Sequence, residues 1–137
     1  MLRRIPIEPF SERMFGFTVP NNGVFFAVDH DEAFKIDLKA SPQVEVLEDS
    51  PYAFIDSFDN ALGVPGGQPL LAHGEKTVSY DFDGHDDYVE VFVRRGREEA
   101  KLRFRTLSGD WFVATLSTCG THLVLAEPYL LEVYAFE

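Results

Sequence analysis

Apolar residues recur along most of the chain with a period of two, in short bursts separated by clusters of Gly, Pro, Asn and Asp. That rhythm predicts half-buried β-strands joined by tight turns. Met14–Val19 and Val24–Val28 flank Pro20-Asn21-Asn22-Gly23, and Asn-Gly supplies the positive φ angles that a hairpin turn needs. Phe34, Ile36 and Leu38 alternate with Lys35, Asp37 and Lys39, as on a sheet with one wet face, and Val44–Leu47 predicts a short fourth strand.

Residues 49–63 support two readings. Ser50 as N-cap, Pro51 at the first helical position, Ile55, Phe58 and Leu62 on one face, and Gly63 as terminator describe a short helix. A strand over Tyr52–Asp56, a turn at Ser57–Asn60 and a return at Ala61–Val64 describe a hairpin, and the predominance of strands elsewhere favours it. Val64-Pro65-Gly66-Gly67-Gln68-Pro69 resists both helix and ladder and predicts a crossing loop between two strand-rich halves.

Six strands are predicted beyond it, at Lys76–Phe82, Tyr88–Arg95, Ala100–Leu107, Trp111–Ser117, Thr121–Ala126 and Leu130–Phe136, with connections short enough to imply antiparallel neighbours. Setting Arg94 opposite Lys101 puts Val93 against Leu102 and Val91 against Phe104 on an inner face. Phe92 then meets Arg103 and Glu90 meets Arg105 on a wet outer face. The expected fold is all-β: one domain over residues 1–137, an antiparallel β-sandwich or flattened barrel of about nine or ten strands with at most one short helix.

Composition adds exclusions. Twelve Lys and Arg stand against 23 Asp and Glu, a formal net charge of −11. The acid is spread evenly, with 5 basic and 11 acidic residues over 1–69 and 7 and 12 over 70–137. Phosphate backbones need a surplus of cations, so nucleic acid is not an expected partner. Val24–Val28, the longest run of aliphatic and aromatic residues, is far shorter than the ~20 residues of a membrane span. Met1-Leu2-Arg3-Arg4 resembles the start of an export signal, but Ile5-Pro6-Ile7-Glu8-Pro9 interrupts the apolar run such a signal requires. With one cysteine, Cys119, no intramolecular disulfide can form, and a reducing, cytoplasmic setting is expected.

No Gly-x-Ser-x-Gly, phosphate loop, dinucleotide glycine pattern or His-Glu-x-x-His occurs, so no catalytic residue is nominated. Cys119 and His122 are three apart, yet a turn cysteine beside a strand histidine is the simpler reading. The four histidines, His30, His73, His85 and His122, form no close pair of the kind zinc sites use. The acidic turn Asp81-Phe82-Asp83-Gly84-His85-Asp86-Asp87 offers alternate carboxylates around a glycine. Asp81, Asp83 and Asp87 are its candidate ligands for Ca²⁺, although the spacing is not that of an EF-hand. The one local reversal of charge is the stripe Arg94, Arg97, Lys101, Arg103 and Arg105 with Phe92 in its middle, a candidate docking face for an acidic partner or a second copy. The expected function is a non-enzymatic protein-binding module. The alternative is a small β-barrel holding a metal or small molecule, which could be an enzyme.

Overall fold

The structure, a computed structural model, describes residues 1–7, 13–39, 41–83 and 87–137. Among these are thirteen strands and one short helix. In chain order they are β1 (Leu2–Ile5), β2 (Met14–Thr18), β3 (Val24–Asp29), β4 (Ala33–Asp37), β5 (Gln43–Leu47), α1 (Pro51–Asp56), β6 (Ala61–Gly63), β7 (Ala72–His73), β8 (Lys76–Asp83), β9 (Tyr88–Arg95), β10 (Glu98–Arg105), β11 (Val113–Leu116), β12 (His122–Glu127) and β13 (Leu130–Phe136). They form three antiparallel sheets, ordered β5-β4-β3-β2-β6, β1-β13-β12-β11 and β10-β9-β8-β7. The protein is an all-β sandwich with an added layer, not a closed barrel.

The sheet β1-β13-β12-β11 is the middle layer. On one side Val124, Ala126, Val133 and Ala135 share a core with Phe17, Phe25, Ile36 and Leu62 of the five-stranded sheet. On the other, Ala114, Leu116, Leu123 and Leu125 pack on Val78, Val89, Val91, Val93 and Phe104. Successive side chains of a strand point to opposite faces, so a strand covered on both sides must be apolar without a break. Leu123-Val124-Leu125-Ala126 meets that condition, and all four residues are buried.

Sequence rhythm and structure part company at four places besides the two-residue strand β7, which was also not expected. Strand β1 was not expected; Leu2–Ile5 pairs with β13, Leu2 opposite Phe136 and Ile5 opposite Val133. Within β2 the register shifts between Met14 and Gly16, a bulge that turns Met14 and Phe17 to the same core although they are three residues apart. Phe15 faces the opposite way, into a third apolar cluster with Val28, Ala33, Ile55 and Ala61. The third difference is at residues 50–62, where the helical reading holds for Pro51–Asp56 in place of the favoured hairpin. Ser50 sits in extended backbone ahead of Pro51, and Ile55 is buried against the five-stranded sheet. The Ser50 side chain makes no capping hydrogen bond; Pro51 at the first helical position starts α1, which closes that sheet's outer face, where Phe54 and Phe58 pack on Phe26. The return strand β6 then pairs with β2.

The fourth difference is register. β9 and β10 pair with Glu99 opposite Arg94 and Lys101 opposite Phe92, two residues away from the expected alignment. Arg95 and Glu98 face each other across a two-residue turn, Gly96-Arg97, in which Gly96 has φ 61°. A positive φ confined to the first turn residue is the mark of a type II′ hairpin, so Glu98 and Glu99 belong to the ladder. A two-residue slip leaves every side chain on its expected face.

The segment after β6 crosses from the five-stranded sheet to β7 past the edge of the middle layer. Leu70 donates its N–H to Thr115 Oγ1 at 3.0 Å and accepts from the Leu116 N–H at 2.7 Å.

Candidate functional site

The outer face of the β7–β10 sheet gathers the stripe read from the sequence. Because Val89, Val91 and Val93 point into the core, Tyr88, Glu90, Phe92 and Arg94 of β9 point out. The pairing sets Thr77, Arg94 and Glu99 in one row, Ser79, Phe92 and Lys101 in the next, then Asp81, Glu90 and Arg103, and last Asp83, Tyr88 and Arg105. Phe92, Arg94, Lys101, Arg103 and Arg105 therefore share one surface. Phe92 is 38% exposed, high for a phenylalanine in mid-strand. It lines an open depression of about 680 Å³ together with Thr77, Ser79, Arg94, Glu99 and Lys101.

The expected basic stripe is a mosaic. Arg94 pairs with Glu99, Lys101 Nζ lies 3.2 Å from Glu90 Oε2, and Arg103 lies 3.8 Å from Asp83 Oδ2. Arg103 also sits over the Tyr88 ring at 4.1 Å, and Lys101 lies 5.9 Å from the centre of Phe92. Asp81 and Arg105 make no ion pair among the described residues. Exposed pairs of this kind contribute little to folding, about 0–1 kcal/mol each, so their arrangement is better understood as a surface pattern than as a fastening.

For the candidate Ca²⁺ ligands, Asp81 and Asp83 share the outer face of β8, and Asp83 is engaged by Arg103. Asp87 follows the loop in left-handed backbone, φ 56°. Gly84, His85 and Asp86 lie outside the described residues. Among the described residues no group of three or more His, Cys, Asp or Glu is placed to hold a metal ion.

The turn Ser117–Thr121 carries a constellation that spacing alone did not reveal. Cys119 Sγ lies 3.0 Å from Thr121 Oγ1, which lies 2.9 Å from His122 Nδ1. Ser117 Oγ accepts the N–H groups of Thr121 and His122, both at 3.0 Å, and fixes the turn. Hydrogen bonds from the Thr121 side chain and backbone hold the exposed Cys119 thiol below its usual pKa. Burial, and then the Arg3 charge, lowers the pKa of His122. With a thiol, the protons can run from sulfur to hydroxyl to Nδ1; with a thiolate they must point the other way. Thr121 is thus the link between Cys119 and His122, and nothing in the Cys-x-x-His spacing identified it. His73 covers the turn so closely that a Cβ at Gly120 would stand 2.5 Å from its Nδ1.

Compared with protein-family models, with curated proteins and with solved structures, the chain matches none. Among the described residues no helix is long and apolar enough to cross a membrane.

An aromatic platform lies elsewhere, on the outer side of the five-stranded sheet. Phe15 stacks with both His30 and Tyr52 at 5.1 Å between centroids, and His30 Nδ1 is 2.7 Å from the Tyr52 hydroxyl. With Arg13, Asp56, Val64 and Pro65 they line a depression of about 430 Å³. The bulge in β2 aims Phe15 at it, which a strict period of two would not have done.

Proposed function

We propose that this protein is a non-enzymatic binding module that engages another protein through the outer face of the β7–β10 sheet. The observation that carries the reading is Phe92, an exposed aromatic that lines an open depression beside the charged Arg94, Lys101 and Glu99. An apolar anchor inside a polar rim is the arrangement that concentrates binding energy at protein interfaces. The free thiol of Cys119 fits a reducing compartment such as the cytoplasm.

The test is affinity capture at low salt with the wild type, Phe92→Asp, Arg103→Glu and a control substitution on the far sheet, Glu45→Lys. A specific protein retained by the wild type and the control but lost from both face variants supports the reading. Equal retention by all four overturns it.

The aromatic platform favours a second reading, a site for a small planar molecule. A ligand at a hundred times its dissociation constant adds ~2.7 kcal/mol of stability. A thermal-shift screen of aromatic compounds should therefore yield a hit that Tyr52→Ala removes, and no hit would retire the site.

A further inference from the structure

We infer that the partner of the β7–β10 face is a second copy of this chain, docked face to face about a two-fold axis parallel to β9; this rests on the binding role proposed above. The argument is one of charge. The chain carries −11, so two copies repel over most of their surface. The outer face of this sheet is different: Arg94, Lys101, Arg103 and Arg105 are matched by Asp81, Asp83, Glu90 and Glu99, four charges of each sign.

The signs are also ordered across the sheet. β8 contributes Asp81 and Asp83 and no cation to this face, while β10 contributes Lys101, Arg103 and Arg105 beside one acid, Glu99, which is taken up by Arg94. The face is therefore antisymmetric about β9. Turning a second copy over an axis along β9 lays the acidic column of each molecule on the basic column of the other. Partners keep their rows, so Asp81 of each copy meets Arg103 of the other, and Phe92 meets Phe92 on the axis. The like charges that also meet on β9 are paired within each copy, Glu90 with Lys101 and Arg94 with Glu99; Arg103 is likewise paired with its own Asp83, so Asp81 of the other copy would be a second carboxylate beside it. A two-fold interface requires such self-complementarity, and random mosaics do not provide it.

Size sets the strength. Eight residues at ~3.3 Å and three strands at ~4.8 Å make a face about 26 Å long and about 10–15 Å wide. That is below the roughly 800 Å² per partner of a stable complex, so the dimer should be weak and concentration-dependent.

Sedimentation of the full chain from the micromolar to the millimolar range should show reversible dimer. Asp81→Lys sets a cation opposite Arg103 of the other copy, and Arg103→Glu sets an acid opposite Asp81. Each variant alone should dimerise about tenfold or more weakly, whereas an equimolar mixture of the two should form a heterodimer. Phe92→Cys in a Cys119→Ser background should be joined into a covalent dimer by a short bismaleimide, whose spacer bridges the roughly 10 Å between stacked sheets. Melting temperatures of all variants check that they remain folded.

A wild type that stays monomeric at millimolar concentration, or a dimer indifferent to Asp81→Lys and Arg103→Glu, overturns the inference. A monomeric wild type whose captured protein is still lost on Phe92→Asp would leave the binding role standing with a different partner.

Discussion

β12 and β10 are both antiparallel strands of ordinary length, yet they solve opposite problems. β12 is covered on both faces and paired on both edges, with β11 and β13. β10 is wet on one face and paired on one edge only, with β9. On β12 the single carboxylate, Glu127, is fully buried, and every bond it makes is to the backbone. Its Oε1 accepts the N–H groups of Leu107 at 2.5 Å and Ser108 at 3.1 Å, and its Oε2 accepts that of Tyr129. On β10 the charges Glu98, Glu99, Lys101, Arg103 and Arg105 stand in water. Polarity on a doubly covered strand must be satisfied atom by atom, whereas on an edge it is free to serve recognition and to discourage unwanted pairing.

The contrast can be broken most forcefully at Leu125. Leu125→Ala should cost about 2–5 kcal/mol by urea denaturation, with an unchanged m-value, because the site is sealed on all sides. The half-buried Leu102 of β10 should cost distinctly less on the same change, and equal losses would mean that the two strands are not so different. Next comes Glu127→Gln, which keeps the shape but sets an amide among three N–H donors. A loss of about 1–3 kcal/mol is expected, together with faster amide exchange at Leu107 and Ser108.

A smaller effect is expected at His122, the first residue of β12. Its folded pKa is depressed, chiefly by burial, so the unfolded chain takes up the proton more readily. The neutral ring's contribution is complete above the unfolded value of ~6.5 and is lost as pH falls through the lower folded value. Urea midpoints should therefore drop between about pH 7.5 and about pH 5.5, and His122→Gln should flatten that part of the curve. Smallest of all, Lys101→Ala on β10 should move stability by no more than about 0.5–1 kcal/mol, since its pair with Glu90 is exposed on the lysine side.

The same contrast explains what the sequence disclosed. Tyr88–Arg95 was legible to the residue because alternation marks a strand with unlike faces, and Leu130–Phe136 because a nearly unbroken apolar run follows the turn Glu127-Pro128-Tyr129. The β9–β10 register was not, since matching like with like tests parity and is blind to a shift of two. β1 went unread because Arg3 and Arg4, on the rim of the middle layer, look like a charged leader. The Ser50-Pro51 signal was visible but was outweighed by its neighbours, although the fixed φ of a proline at the first helical position is a local preference that neighbours do not cancel. Of the candidate surface, the shared face of Phe92, Arg94, Lys101, Arg103 and Arg105 followed from parity alone. Its acidic half did not, because Asp81 and Asp83 join it from a third strand, and the Cys119–Thr121–His122 chain needed the conformation of a turn.

The pairing of β1 with β13 leaves residues 1 and 137 side by side, with the Glu137 N–H donating to the Met1 carbonyl at 2.9 Å. The middle layer is therefore completed by an encounter between segments far apart in sequence, which is entropically a slow kind to arrange. Fusing those neighbours through a short bridge and reopening the backbone at the exposed Gly109-Asp110 would turn that encounter into a local one. The rearranged protein should reach the same architecture more quickly.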